Sequence, residues 1–285
     1  MDLFSQIENP ERDEILALRK ELVEANYRYY VANAPTLSDY EFDKKLRRLQ
    51  DLEAKYPDMF DVNSPTQKVG SDLEVKGQTS KVKGKGFEQV AHKYPMLSLS
   101  NSYSREEIAD WISKLPEDVE IVCELKFDGL SISLWYEDGV LTKALTRGDG
   151  TKGDNVIDNI KTIAAIPQHI GTPDSGVRTP EFLELRGEVL LPWAAFEKLN
   201  KEREEQGDAL FANPRNAASG TLKLQDSQEV ARRGLDCYLY YMLGENLPAN
   251  THYERLEIAK QWGFNISDAV KVCHGLDEVM EYIAY

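Results

Sequence analysis

Three cysteines in 285 residues are too few and too scattered to make a disulfide framework or a zinc module. Cys123, Cys237 and Cys273 form no CxxC pair, so no metal site is expected from them. An odd number of such residues fits reduced thiols. Long apolar runs are missing too. None approaches the ~18 residues that a membrane-spanning helix needs, so no membrane association is expected. Cations are in deficit: 34 Lys and Arg stand against 49 Asp and Glu, a formal net charge of −15. A phosphate backbone repels such a surface unless the basic residues cluster, so weak or no nucleic-acid binding is expected of this chain by itself. The first residues, MDLFSQIENPERDE, lack the basic-then-apolar order of a signal peptide, so a cytoplasmic location is expected. Internal repeats and low-complexity tracts are absent.

What is present reads as an ordinary globular composition, 41% apolar and 29% charged. Over residues 11–31, Leu18, Leu22, Ala25 and Tyr29 fall at helical spacing, and Pro35 ends the pattern. "SDYE" at 38–41 has the S-x-x-E form of a capping box and opens a second helix through Phe42, Leu46, Leu49 and Leu52. Two antiparallel helices on a short connection make a small unit, residues 1–69. A Gly, Ser and Lys-rich strap follows the boundary near residue 70. From about residue 120 the runs "EIVCELKF", "LSISLWYEDGVLTKALTRG", "FLELRGEVLL" and "LDCYLYYML" read as strands, with a hairpin turn at Glu137-Asp138-Gly139. Helical patterns fall at 104–114, 192–206 and 252–262. The expected fold class is α+β: a small N-terminal helical subdomain, then a domain over 70–285 with mainly antiparallel sheets.

One stretch, "CELKFDGLSIS" at 123–133, carries the chemistry. Read as a strand, Glu124, Lys126 and Asp128 share one face, with Leu125, Phe127 and Leu130 mostly in the core. A solvated face of alternating charge is the plain reading. Three features point further. Lys126 sits in an apolar context. Gly129 follows the acid directly, which suits a bend or a close backbone approach. A second loop, "TRGDGTKGDN", adds Arg147 and unhindered N–H groups for an anion.

"KFDG" at 126–129 matches the K-x-D-G signature of covalent nucleotidyltransferases. With "PMLSLSN" (95–101), "TRGDGTKGDN" (146–155), "LELRGEV" (183–189), "FANPRNAASGTL" (211–222) and the N-terminal "YRYYVANAPTLSDYEFD", placed along the chain in the order found in that family, it resembles the bacterial NAD-dependent DNA ligases over nearly its whole length. The resemblance implies a lysine nucleophile, Lys126, that attacks the α-phosphorus of NAD, expels nicotinamide mononucleotide and keeps AMP as a phosphoramidate. That chemistry needs a neutral amine, whereas a free lysine has a pKa of about 10.4. Two neighbouring carboxylates would hold the proton on, so Glu124 and Asp128 are expected to be engaged elsewhere.

By the same resemblance Glu124 accepts hydrogen bonds at the adenine edge, and Asp128 orients the lysine or the ribose or helps to hold metal. Arg147 contacts ribose or phosphate, and Glu188 the ribose. Ser98 and Leu99 lie beside the adenine pocket, although unaided they read as core and turn. Arg215 stands near the reacting phosphate. Lys223 occupies a place where the family more often has arginine, which keeps the charge and loses the fork. Tyr29, Tyr30, Asp39, Phe42 and Asp43 are implied to form the pocket for nicotinamide mononucleotide, with aromatic faces and carboxylates meeting the cationic ring. Two departures touch it: Tyr30 is often histidine in the family, and Phe42 usually tyrosine. Without the resemblance, the acids read as helix-dipole partners and the aromatics as packing.

The family continues past this chain with two lysine-bearing strands, an OB-fold, a zinc module, helix-hairpin-helix repeats and a terminal domain. The chain therefore reads as a C-terminally incomplete adenylation region, weakly active or inactive alone. Its expected context is a monomeric ligase acting on nicked double-stranded DNA, with Mg²⁺ assisting phosphoryl transfer. Two alternatives remain: a nucleotidyltransferase using ATP or GTP, or a non-catalytic acidic interaction module.

Overall fold

The computed structural model describes residues 9–28, 36–67, 86–97, 99–171 and 179–284, without the Asp39 side chain. Chain contacts divide it into two compact units, residues 1–83 and 84–285. The boundary expected near residue 70 and the strap after it fall outside the described residues.

The first unit is a helix pair. Helix α1 (Pro10–Tyr27) begins with Asn9 capping the Glu11 N–H and Pro10 in the first turn, where a missing donor costs nothing. Helix α2 (Asp39–Lys55) carries the expected capping box between Ser38 and Glu41. Ile15, Leu18 and Leu22 of α1 meet Leu49 and Leu52 of α2 in a closed cluster. The ion pairs Glu11–Lys55, Glu14–Arg48 and Glu21–Lys45 run in opposite senses along the two helices, which makes them antiparallel. A polar node closes the end of the pair. Arg19 donates to Glu53 and to the Met59 carbonyl, and Glu53 also accepts from Ser64 and Thr66.

The second unit is built on sheets. In chain order its elements are β1 (Gln89–Ala91), α3 (Arg105–Ile112), β2 (Glu120–Cys123), β3 (Leu130–Glu137), β4 (Val140–Thr146), β5 (Lys152–Asp154), α4 (Ile157–Ile160) and β6 (Phe182–Leu190). After these come α5 (Trp193–Gln206), α6 (Pro214–Leu222), α7 (Ser227–Arg233), β7 (Asp236–Leu243), α8 (His252–Gln261), β8 (Lys271–His274) and α9 (Gly275–Ala284). Four strands form the central sheet in the order β4-β3-β6-β7, and two small sheets pair β1 with β5 and β2 with β8. All of these pairings are antiparallel. The β3–β4 hairpin turns at Asp138 and Gly139, both with positive φ (48° and 79°), as its short "EDG" turn demands. Ile132, Leu134 and Tyr136 of β3 and Leu183 and Leu185 of β6 are fully buried in the main core, which the helices α5 to α8 help to close.

Two expectations are corrected. The strand expected over 120–127 ends at Cys123, because β2 pairs with β8 while β3 belongs to the central sheet. Residues 124–129 are the crossing between the two, without strand structure. Leu125 is accordingly exposed and not a core residue. The short strands β1, β5 and β8 and the helices α6 and α7 carry too few periodic residues to be read from sequence, whereas α9 does carry Leu276, Val279, Met280 and Ile283 at helical spacing.

Candidate active site

The crossing loop places Lys126 in solvent between two anchored ends. At the far end, Gly129 lies so close to β6 that an added Cβ would sit 2.2 Å from the Val189 carbonyl oxygen. The Gly129 N–H donates to Glu188 Oε1 at 3.1 Å, and the Ser131 hydroxyl donates to Glu188 Oε2 at 2.8 Å. Both oxygens of Glu188 are thus used, from a residue directly opposite Ser131 in the β3–β6 register. Burial raises the Glu188 pKa above the ordinary carboxylate value. The two hydrogen bonds oppose it, as do the positive charges of Arg215 and Lys126, so both cations lie within electrostatic reach. The Phe127 ring stacks on Tyr238 of β7 at 4.6 Å, tying the middle of the loop to the sheet.

Both acids that flank the lysine have partners. Asp128 accepts from Arg215 Nη1 at 2.6 Å. Arg215 sits in the first turn of α6, whose start is fixed by Asn213 capping the Asn216 N–H. Glu124 Oε1 lies 2.6 Å from Nε2 of His252, the first residue of α8. A carboxylate only accepts, so Nε2 carries the proton.

A second group of contacts straps residues 94–97 beside the β4–β5 turn. Arg186 of β6 donates to the carbonyls of Tyr94 (2.6 Å) and Pro95 (3.2 Å) and, through Nε, to the buried Glu184. Arg147 Nε donates to the Met96 carbonyl at 3.2 Å, and the Met96 N–H returns to the Gly150 carbonyl. The turn is tight: at Gly148 (φ 55°) a Cβ would meet the Lys152 carbonyl at 2.0 Å. Asp149 caps it by accepting from Thr151 and Lys152, which holds its pKa below the ordinary value. Leu97 and Leu99 emerge from the strap highly exposed, so Leu99 is not core.

The structure therefore gathers Lys126, Asp128, Glu188 and Arg215 at one centre, with Glu124 at the near end of the same loop. Arg147 is placed as a backbone clamp on the strap. Lys223 follows α6 with its Nζ 3.7 Å from Asp154. The carbonyls on either side of it, Leu222 and Leu224, are held by the buried Asn159 side chain at 2.8 Å each. Tyr29, Tyr30, Ser98 and the Asp39 side chain lie outside the described residues. Phe42 packs half-buried against the helix-pair cluster, and Asp43 is half-buried in the same unit.

His252, Arg186 with Glu184, Tyr238 and Asn159 were not foreseen. A signal existed for one of these sets: Glu184-x-Arg186-x-Glu188 places three charges at alternate positions of an otherwise apolar strand. Among the described residues, no three His, Cys, Asp or Glu side chains are grouped as metal ligands. No helix among them is long and apolar enough to cross a membrane.

Residues 84–285 match the NAD-dependent DNA ligase adenylation domain, and residues 8–70 match the DNA ligase-like N-terminal NAD⁺-binding domain. The chain is 57% identical over 275 residues to a DNA ligase of Parabacteroides distasonis, covering 95% of the chain and 39% of that protein. Identity with the DNA ligase of Bacteroides fragilis is 54% over 278 residues, or 96% of the chain and 40% of the relative. For the Flavobacterium johnsoniae DNA ligase it is 47% over 279 residues, with the same two shares. The chain thus spans about two fifths of the length of the curated relatives it matches.

Proposed function

The chain belongs to the NAD-dependent DNA ligase family, and from that premise we propose that it carries out the self-adenylation step of such a ligase, with Lys126 as nucleophile. The Lys126 amine attacks the α-phosphorus of NAD. An N–P bond forms, the bridging O–P bond breaks, nicotinamide mononucleotide leaves, and the amine loses its proton. The 5′-phosphate of a nicked duplex then takes the AMP from Lys126, and the adjacent 3′-hydroxyl displaces AMP to seal the nick, as replication and repair require.

The observation that carries this reading is that both acids beside Lys126 are already paired, Glu124 with His252 and Asp128 with Arg215. Arg215 offsets the charge of Asp128 and His252 occupies one oxygen of Glu124, so the hold of the two carboxylates on the lysine's proton is lessened. Arg215 is paired with Asp128, two residues along the chain from Lys126, and a cation there can stabilise the charge that builds on the phosphate. Glu188 supports the loop from behind through Gly129 and Ser131, and any ribose contact it makes is added to those bonds.

Mg²⁺ belongs to this proposal only as an ion that the substrate phosphates bring. Asp128 and Glu188 are committed to Arg215, Gly129 and Ser131, and the described residues offer no three-ligand cluster of their own. The donor set does not fit a dedicated metal cage, and no step is routed through one. Tyr29, Tyr30, Asp39, Phe42 and Asp43 are proposed to bind the leaving nicotinamide mononucleotide. Sealing of nicked double-stranded DNA, a monomeric state and a cytoplasmic location complete the proposal.

The test separates the steps. In a full-length ligase carrying this region, Lys126→Ala should bind NAD, form no adenylate, and still seal a nick supplied with a 5′-adenylate already in place. Adenylate formation by that variant, or labelling of the wild type from ATP in place of NAD, would overturn the reading.

A further inference from the structure

We infer that His252 is a positioning residue for base recognition, holding Glu124 so that its second carboxylate oxygen faces the 6-amino group of adenine. This rests on the reading of Glu124 as the residue at the base edge and adds to it the device that orients the carboxylate.

Glu124 begins the crossing loop, where strand hydrogen bonding has stopped, so the backbone alone does not aim its flexible side chain. His252 does. Its own backbone is set at the start of α8, directly after Thr251, which shares a capping box with Glu254. Its ring lies 5.6 Å from that of Tyr241 on β7, tilted by 45°. Leu256 and Ala259 on the same helix are buried in the main core. A rigid donor thus meets a flexible acceptor at 2.6 Å, with both side chains about three-quarters buried.

With Oε1 held by Nε2–H, Oε2 is the oxygen left for a ligand. An oxygen of that kind accepts from an exocyclic amine and repels a carbonyl. Adenine presents an amine at position 6, and hypoxanthine presents a carbonyl there. A site built to accept that amine rejects the analogue that lacks it. His252 then contributes to the choice of base while remaining away from the phosphate chemistry.

The experiment compares adenylation from NAD and from nicotinamide hypoxanthine dinucleotide in a full-length ligase carrying this region. The variants are His252→Phe, His252→Gln, His252→Asn and Glu124→Ala. Wild type should favour NAD in kcat/KM by at least about tenfold, the scale of one hydrogen bond to a charged group. His252→Phe should lower kcat/KM for NAD about tenfold more than for the hypoxanthine dinucleotide, mainly through KM. His252→Gln, whose amide nitrogen reaches the place of Nε2, should keep most of the preference, and the shorter His252→Asn should lose it. The Gln and Asn pair decides the matter even if the Phe variant does not fold. Equal losses for both dinucleotides, or equal preference in the Gln and Asn variants, would overturn the role of His252. A preference that survives Glu124→Ala would instead overturn the assignment of Glu124 itself.

Discussion

Replacing Gly129 by alanine isolates the packing that sets the position of Lys126, the proposed nucleophile. The backbone of Gly129 does not have positive φ, so alanine suffers no conformational strain there. The obstacle is space. The new Cβ would lie 2.2 Å from the Val189 oxygen, 3.0 Å from the Val189 carbonyl carbon and 3.1 Å from Glu188 Cγ. Two of these atoms are backbone within the central sheet, so the loop must move instead. Movement stretches the 3.1 Å bond from Gly129 N–H to Glu188. Overpacking of this kind costs about 1–3 kcal/mol. A displacement of about 1 Å at Lys126, three residues away, can cost about 10²-fold in rate. Urea unfolding measures the first effect, and single-turnover adenylation by a full-length ligase the second. Gly207→Ala is the control: its φ is 75°, nothing lies within 4 Å of the added Cβ, and it caps α5. It should lose about 1 kcal/mol through its left-handed backbone and no adenylation rate. A Gly129→Ala protein with wild-type stability and rate would refute the account of the loop.

Other expectations follow from the same geometry. The Asp128–Arg215 pair is partly exposed (side chains 66% and 28%), so Arg215→Ala should cost less than about 1 kcal/mol in urea unfolding yet slow adenylation severely; comparable losses in both would make the arginine structural. Because burial raises the Glu188 pKa, its contribution to stability is full below the ordinary 4.5 and is lost as pH rises through the raised folded value. Glu188→Gln, which cannot ionise, should therefore gain on the wild type across that window in urea midpoints, and a pH-independent difference would contradict the burial argument. Ser38→Ala removes half of the capping box on α2 and should cost about 1 kcal/mol, read as a lowered melting temperature. Tyr29→Ala or Asp43→Ala in a full-length ligase should abolish adenylation from NAD and spare sealing of a pre-adenylated nick; equal losses with a lowered melting temperature would leave these residues with packing and capping roles alone.

Much of the fold was legible where one local rule decides the outcome. Ser38 and Glu41 announce α2, and Asp138-Gly139 announces the hairpin, because capping and left-handed turns depend on adjacent residues. The apolar runs of β3, β6 and β7 are long enough to declare themselves. The stretch 124–128 misled because charges at alternate positions look alike on a strand and on a loop. Here each of the two acids is recruited by a different helix: Glu124 by His252 on α8, 128 residues away, and Asp128 by Arg215 on α6, 87 residues away. Periodicity cannot report such partners. Nor could it show that Arg186 clamps the Tyr94 and Pro95 carbonyls, since those contacts are made to backbone and carry no side-chain signature. The residue types of the site were visible in the motifs, whereas the partners of the two acids beside Lys126 required the fold.

The most direct measurement is intact mass followed by peptide mapping of a full-length ligase, carrying this region, after incubation with NAD and Mg²⁺. The account predicts a gain of one adenylate, labile in acid and stable in base, located on the peptide containing Lys126. It should be absent from Lys126→Ala and from Lys126→Arg, since arginine stays protonated. An adenylate found on another residue, or retained after Lys126 is replaced, would contradict it.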